Sequence, residues 1–261
     1  MLLPRLRGIL CSQIVRVIWL AALILFSQPD LFAQNNNTNV ACREDLSQAH
    51  RETLVHQLRK ITGWGDLDIE DGGLRAGSAT PSRGSHGARQ LVKTALSGST
   101  FIALEDASKR SDIAFSRVVP GKWLKDSTDN PVAFVVQIDF ADFDYVFGDA
   151  RALEAFNAGW VLLHELDHIV NDSVDATFND ELGECEININ RMRQECNLPL
   201  RSEYFFTFLP ATKDSLFNNR LARLAFDHQL GERGKKKRYW LVWDATRVGG
   251  LPEQNQIASL R

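Results

Sequence analysis

The longest stretch of apolar positions with helical spacing lies between residues 150 and 171. Its apolar side chains fall on nearly every side of a helix, which is typical of a central helix buried in a core. They are Leu153, Phe156, Trp160, Val161, Leu163, Leu166, Ile169 and Val170. No proline occurs in residues 149–173, and Gly159 is the only glycine of the segment. The pattern predicts one buried helix over 150–171.

Other segments follow the helical period or the strand period. Apolar spacing predicts helices over 44–61, 88–96, 180–196 and 214–229. Short apolar runs predict strands over 100–104, 112–119, 131–140 and 239–243, and weaker patterns suggest strands over 66–74 and 204–209. The run over 132–140 has the strongest strand pattern in the chain. Together these elements predict an α+β fold with a mixed sheet.

The domain organisation predicted from these patterns is simple. We find no internal repeat, and no linker that divides residues 44–249, which we expect to form a single domain. A polar, flexible leader over 34–43 precedes this domain, and a loose tail over 250–261 follows it.

Residues 1–33 have the features of a secretory signal peptide. Arg5 and Arg7 precede an apolar run over 17–26, and Ala33 is the predicted cleavage position. The run is short compared with the roughly 20 residues that span a membrane. We therefore expect a secreted or periplasmic protein with no stable membrane insertion after cleavage. An uncleaved membrane anchor is the alternative.

Charge and cysteine content exclude some classes of partner and site. The formal net charge of −3 over 261 residues provides no basic surface, so we expect no nucleic-acid partner. Three cysteines follow the predicted signal peptide, namely Cys42, Cys185 and Cys196. If the last two share the helix over 180–196, they lie about 16 Å apart, too far to bond. A disulfide would therefore have to include Cys42.

The buried helix contains the motif His-Glu-x-x-His, as His164-Glu165-Leu166-Asp167-His168. Residues four apart lie on the same helix face, so two imidazoles can bind one Zn²⁺ and leave a position for water. The glutamate can then accept a proton from that water. We predict one zinc ion bound by His164 and His168, with Glu165 as the catalytic residue. The charged Asp167 departs from zinc-peptidase helices, which usually have uncharged residues there.

A catalytic zinc needs a third protein ligand, for which the sequence offers several acids. Glu186 lies 18 residues after His168 on the next predicted helix, and Asn190 lies one turn further on the same face, where it could support a ligating histidine. Glu186 is the leading candidate. Glu184, Asp175 and Asp172 are the alternatives.

The motif and the segment that follows it resemble a group of bacterial zinc-dependent metallopeptidases. The resemblance lies in the HExxH run, a short acidic loop, then Gly183-x-x-Glu186-x-x-x-Asn190-x-x-Arg193 and Asn197-Leu198-Pro199-Leu200-Arg201-x-x-Tyr204. Many such proteins are secreted, and similar segments occur in toxin and effector peptidase domains. The resemblance implies a zincin-like, gluzincin-like fold, with the sheet packed on the HExxH helix and on a second, ligand-bearing helix. In such folds the strand before the active helix lines the cleft and receives substrate, here residues 132–140.

These observations lead to the hypothesis of a peptide-bond hydrolase that acts on a peptide or protein substrate. Tyr204, Arg201 and His228 are candidates to donate a hydrogen bond to the oxyanion. Two other functions compete with this one. The chain could be a non-catalytic secreted protein that binds zinc, or a metal-dependent hydrolase of non-peptide amides or esters of the cell envelope.

Overall fold

Two apolar strands, predicted over 100–104 and 131–140, pair in parallel at the centre of a mixed sheet. The computed structural model describes residues 38–81, 83–121, 133–179, 181–209, 221–229 and 234–249. In chain order the elements are β1 (Val40–Cys42), α1 (Gln48–Thr62), β2 (Asp68–Glu70), β3 (Gly73–Arg75), α2 (His86–Ser97), β4 (Phe101–Asp106), β5 (Ser116–Pro120), β6 (Ala133–Ile138), α3 (Phe140–Asp144), β7 (Val146–Gly148), α4 (Ala150–Ala155), α5 (Ala158–Asn171), α6 (Gly183–Glu195), β8 (Leu200–Arg201), β9 (Thr207–Phe208), β10 (Leu221–Gln229) and β11 (Lys236–Asp244).

These strands form two sheets. The first has six strands in the order β2-β3-β1-β4-β6-β5, in which β4 is parallel to both β1 and β6. The second has the order β7-β11-β10-β8, with β9 also paired to β10. Helix α5 packs against β5 and β6 of the first sheet and against α1, α2 and α6. The predicted α+β class is confirmed, and the described residues belong to one compact unit, Asn37–Arg261.

The predicted leader overlaps a strand of the first sheet. Val40 is fully buried, and β1 lies between β3 and β4. The sequence pattern did not predict this strand, because Val40–Cys42 is a short apolar run that directly follows a polar stretch. Its hydrogen bonds come only from partners that are distant in the chain. The predicted signal peptide, the first part of the leader and the tail over 250–261 lie outside the described residues.

The strand before the active helix is not available to a substrate, contrary to the expectation from the resemblance. β6 pairs with β4 on one side and with β5 on the other, so both of its edges are already bonded. Among the described residues β5 pairs with β6 alone, and it is the strand at the edge of the sheet.

The segment 150–171 is helical as predicted, except that the single continuous helix is interrupted at Phe156 and Asn157. The chain forms α4, then an extended turn at Phe156 and Asn157, then α5. The side-chain oxygen of Asn157 accepts hydrogen bonds from the backbone N–H groups of Gly159 and Trp160, which caps a new helix start. Gly159 lies where a Cβ would be 2.9 Å from Cβ of Gln57, so its lack of a side chain allows α1 and α5 to pack closely.

The prediction of a helix over 214–229 was wrong for its described part. Residues 221–229 form β10, a strand in which Ala222 is buried and burial is continuous over residues 224–227. The segment contains strong helix formers such as alanine, leucine and arginine, and its buried positions do not alternate strictly, so the sequence lacks a clear strand period there. Pairing along the whole length of β11 overrides their propensity.

No helix in the described part of the chain is both long and apolar enough to cross a membrane.

We expect stability to depend on Asp227 at acidic pH. Arg238 donates to both of its oxygens across β10 and β11, at 2.9 and 3.0 Å, and Lys236 lies 2.8 Å away. These cations lower the pKa of Asp227 from 3.8 to about 2. The stabilisation is therefore present above about pH 4 and is lost as the pH falls towards 2. Asp227→Asn should cost about 1 kcal/mol of unfolding free energy at pH 7 and less at pH 2.5, as denaturant titration would show.

The matched control is Asp68→Asn, because Asp68 forms an exposed 3.5 Å ion pair with Arg59. That change should leave stability nearly unaltered at either pH. Equal losses for Asp227→Asn at pH 7 and pH 2.5 would contradict the assigned role of the carboxylate charge.

Candidate metal centre

His164 and His168 lie one turn apart on α5 and direct their Nε2 atoms towards each other, 3.2 Å apart. The Nδ1 atom of His168 donates to the backbone carbonyl of Ser173 at 2.7 Å. A carbonyl only accepts, so Nδ1 carries the proton and Nε2 keeps a lone pair for a metal. On His164, Nδ1 faces Oε2 of Glu186 at 3.6 Å, and Nε2 again points to the shared space.

The acid that meets both Nε2 atoms is Asp175. Its Oδ1 lies 3.1 Å from Nε2 of His164 and 3.4 Å from Nε2 of His168. This oxygen is buried, and within the described chain it has no well-directed hydrogen bond. A buried acceptor without a donor is costly, and a bound cation is one way to satisfy it.

The position of Asp175 depends on a contact across the loop that joins α5 to α6. Asp175 forms an antiparallel bridge with Gly183, the first residue of α6. Gly183 has a φ of +75°, and a Cβ there would lie 2.3 Å from the backbone nitrogen of Ala176. Only glycine fits this close approach, which returns the loop over the histidines.

The three atoms fit a tetrahedral zinc site. Zinc holds nitrogen and oxygen ligands at about 2.0–2.1 Å, which places tetrahedral ligands about 3.3–3.4 Å apart. The separations of 3.1, 3.2 and 3.4 Å between the two Nε2 atoms and Oδ1 match that spacing. The thiol of Cys185 also lies within 4.8 Å of these atoms. It donates to the carbonyl of His164 at 3.3 Å, and burial raises the pKa of the thiol.

Electrostatics at this site favour a bound positive charge. The carboxylate of Asp175 raises the pKa of His168 to about 9. Burial opposes the charge on Asp175, but the two imidazoles outweigh burial and hold the pKa of that carboxyl well below its usual range. Either protons or a metal ion can supply the charge that the carboxylate attracts.

Glu186, the leading candidate from the sequence, lies on the opposite side of His164. It is fully buried, and its two oxygens form ion pairs with Arg193 and Arg201, the latter at 2.9 Å. Burial raises the pKa of Glu186, but the two guanidiniums more than compensate, and the pKa is lowered. Its oxygens are therefore engaged and do not join the atoms that meet at the two Nε2 nitrogens.

The other sequence candidates fall into two groups. Glu184 and Asp172 are exposed, on α6 and at the end of α5. Asn190 was expected to support a histidine, but it bonds the backbone of Arg201, accepting from its N–H and donating to its carbonyl, each at 2.8 Å. It thereby fixes β8 to α6 rather than orienting the metal site.

Glu165 lies beside the histidines, buried and supported by β5. Ser116 donates from Oγ to Oε1 of Glu165 at 2.7 Å, and burial raises the pKa of the glutamate. The preceding residue, Phe115, has a φ of +63°. Its N–H donates to Asp142 at 2.9 Å, and its carbonyl accepts from the N–H of Asp139 at 2.8 Å. The start of α3 thus holds a strained turn that directs Ser116 at Glu165.

Of the three candidates for an oxyanion donor, Tyr204 contacts the histidine pair directly. Its ring stacks on His164 with centroids 6.4 Å apart, and its hydroxyl is close enough to Asp175 to lower the pKa of that carboxyl. Burial raises the pKa of Tyr204, so the hydroxyl keeps its proton. Arg201 bonds Glu186 and the carbonyl oxygens of Glu203 and Tyr204. His228 lies 3.2 Å from the side-chain oxygen of Asn197.

Asp167, the charged residue inside the motif, belongs to a buried polar network. Its oxygens accept from the side-chain amides of Asn171 and Asn188 at 2.6 and 3.0 Å. Asn188 also donates to the hydroxyl of Ser173, whose carbonyl orients His168. The network therefore links Asn188 of α6 to Asp167 of α5 and, through Ser173, to His168.

Sequence reasoning did not identify Ser116, Ser173 or Asn188 as parts of the site. Each acts through a contact between elements that are distant in the chain or through a backbone carbonyl. One signal was present for Asn188, because a buried aspartate in the motif requires donors from the neighbouring helix.

The three cysteines that follow the predicted signal peptide are unpaired in the described structure. Comparisons of the chain with protein-family models, with curated proteins and with solved structures find no match.

Asp167→Ala should lower the free energy of unfolding by about 1–3 kcal/mol, because it removes a fully buried carboxylate that accepts hydrogen bonds from the side-chain amides of Asn171 and Asn188. Denaturant unfolding measures this loss. The control is Glu184→Ala on the exposed face of α6, which should change stability by no more than about 0.5 kcal/mol. A loss for Asp167→Ala as small as that of the control would show that the network adds little.

Proposed function

We propose that the chain is a zinc-dependent metallopeptidase with one metal ion held by His164, His168 and Asp175. The observation that carries this proposal is the triangle of two Nε2 atoms and the buried, unbonded Oδ1 of Asp175, with Glu165 on the same helix. This assignment replaces Glu186 by Asp175 as the third ligand. It gives Glu186 the role of supporting His164 from the Nδ1 side.

When bound at these three atoms, zinc lowers the pKa of a coordinated water to about 7 and polarises the carbonyl of a substrate. Glu165 accepts the proton of the attacking water and passes it to the leaving amine. Ser116 occupies Oε1 of Glu165 and fixes the orientation of the carboxylate, which leaves Oε2 for the water. Tyr204 keeps its proton and can donate to the oxyanion next to His164.

A structural zinc site is the competing interpretation, and the geometry disfavours it. Structural sites are closed by four protein ligands. The fourth side chain within reach is Cys185, whose thiol is directed to the backbone carbonyl of His164 and donates to it. A cavity opens beside His164 and Glu165 instead, as a site that admits substrate requires.

We further propose a zincin-like arrangement, in which a mixed sheet with an antiparallel edge strand packs on the HExxH helix. The contacts of α5 with β5 and β6 support it. Because the third ligand is an aspartate close after the motif, the gluzincin-like subgroup inferred from the resemblance is not part of this proposal. Export through a signal peptide stays a prediction.

Asp175→Asn should weaken zinc binding at least about 100-fold, because it removes the charge of a ligand and keeps its shape. Competition with a chromogenic chelator measures the affinity. Asp172→Asn is the matched control on the same loop, since Asp172 is exposed and asparagine tolerates its φ of +53°. Unchanged affinity in Asp175→Asn, together with a stoichiometric zinc ion in the parent, would return the third-ligand assignment to Glu186.

Glu165→Gln should keep the zinc ion and lose peptide cleavage by a factor on the order of 10²–10⁴. Mass spectrometry of a peptide library incubated with the zinc-loaded protein measures cleavage, and metal analysis is run on the same samples. The exposed Glu181→Gln is the control and should cleave as the parent does. If the zinc-loaded parent cleaves no peptide, the peptidase proposal fails while the metal site stands.

A further inference from the structure

A cavity of about 580 Å³ opens beside Glu165 and His164. Its volume falls within the range of roughly 300–1,000 Å³ that is typical of pockets for small ligands. The metal site uses only one end of this space. The rest of the cavity has no role in the mechanism described above.

The walls of the cavity are a continuous set of aromatic rings. Phe115 contacts Phe156 and Trp243 with ring centroids 4.9 and 5.5 Å apart. Phe206 extends the wall from Trp243 to Phe208, at 5.6 and 5.5 Å. These rings come from separate parts of the chain that α5 and the second sheet bring together.

The mouth of the cavity is also aromatic, and there the rings are exposed. Phe205 and Phe208 line it and expose 37% and 39% of their surface. Phe178, 53% exposed, lies between Thr177 and Asn179, which are lining residues. Exposed apolar surface that is contiguous with a concave site is the usual sign of a binding surface.

The charged groups of the cavity are already engaged within the protein. Arg193 and Arg201 both bond Glu186. Each guanidinium also packs over an aromatic ring, Arg193 at 5.3 Å from Trp160 and Arg201 at 4.8 Å from Tyr204. These contacts disfavour an acidic occupant, and the aromatic walls favour an apolar one.

We propose that this aromatic cavity holds a large apolar side chain, aromatic or branched aliphatic, of the peptide residue next to the scissile bond. The cavity selects substrates, because a side chain seated there places the neighbouring carbonyl at the end that contains His164 and Glu165. This inference rests on the proposed peptidase function, and the test separates the two.

Binding is measured first, in the zinc-loaded Glu165→Gln protein, so that cleavage does not interfere. The probes are N-acetyl amino-acid amides of phenylalanine, leucine, serine and glutamate, and tryptophan fluorescence reports binding because Trp160 and Trp243 line the cavity. The phenylalanine and leucine amides should bind roughly tenfold tighter than the serine amide, or more. Equal affinities would overturn the proposal. Tighter binding of the glutamate amide would also overturn the proposal, because the guanidiniums of Arg193 and Arg201 would then select the ligand.

Substitutions at the mouth of the cavity test whether the probes bind in this cavity. Phe205→Ala and Phe208→Ala should each reduce the preference for the apolar probes about threefold or more, since each removes a large part of an apolar contact. Phe147→Ala is the matched control, because Phe147 is 54% exposed but lies on β7, at the opposite edge of the second sheet from β8. A preference that survives both mouth variants, or that falls equally in Phe147→Ala, would overturn the assignment to this cavity.

The peptide-library digest of the parent protein completes the test. Cleavage should concentrate next to large apolar residues. Cleavage without this preference overturns the cavity proposal and leaves the peptidase function intact. Selective binding of apolar probes without cleavage of any peptide supports the cavity as an apolar side-chain site and contradicts the peptidase function.

Discussion

Burying a helix that contains two histidines, a glutamate and an aspartate costs free energy unless each polar group has a partner. Helix α5 meets this requirement with contacts to nearly every element around it. Asp167 receives two amides, Glu165 a serine hydroxyl, and His168 a backbone carbonyl. In the described part of the chain, Oδ1 of Asp175 is a buried side-chain oxygen with no well-directed hydrogen bond, and it lies between the two imidazoles. The proposed cation would satisfy this oxygen.

Two backbone conformations hold the side chains that surround this site. The positive φ of Gly183 returns the loop after α5 so that Asp175 faces the histidines. The positive φ of Phe115 presents Ser116 to Glu165 and directs the ring of Phe115 into the cavity wall. Glycine adopts such a conformation freely, whereas phenylalanine does so only because Asp142 and Asp139 bond both of its backbone groups. The strained backbone conformation is therefore found at Phe115, which positions Ser116 next to Glu165 and whose ring forms part of the cavity wall.

The sequence predicted the parts of this arrangement that depend on local spacing. The helical period and the i, i+4 histidines predicted a buried helix with two imidazoles on one face, and the α+β class followed from the mixture of periods. The sequence did not predict Asp175 over Glu186, because both acids are within reach of the motif. The proposal of Asp175 as the third ligand rests on its bridge to Gly183 and on the two arginines that engage Glu186. The break at Asn157 and the strand β10 were missed for a related reason, since capping and cross-strand pairing outweighed the local pattern.

The charged groups around this site also bear on the proposed metal ion. Four carboxylates, Glu165, Asp167, Asp175 and Glu186, act together to raise the pKa of Cys185 after burial itself. Two guanidiniums, Arg193 and Arg201, lie in the same region and neutralise part of this charge. With neutral histidines, four carboxylates against two guanidiniums leave two negative charges, which is the charge that one zinc ion compensates. A protein that bound no cation here would have to protonate its histidines or a carboxylate instead, and either change removes a ligand or the base. The charge balance and the geometry therefore both support the proposal of a single divalent ion next to Glu165.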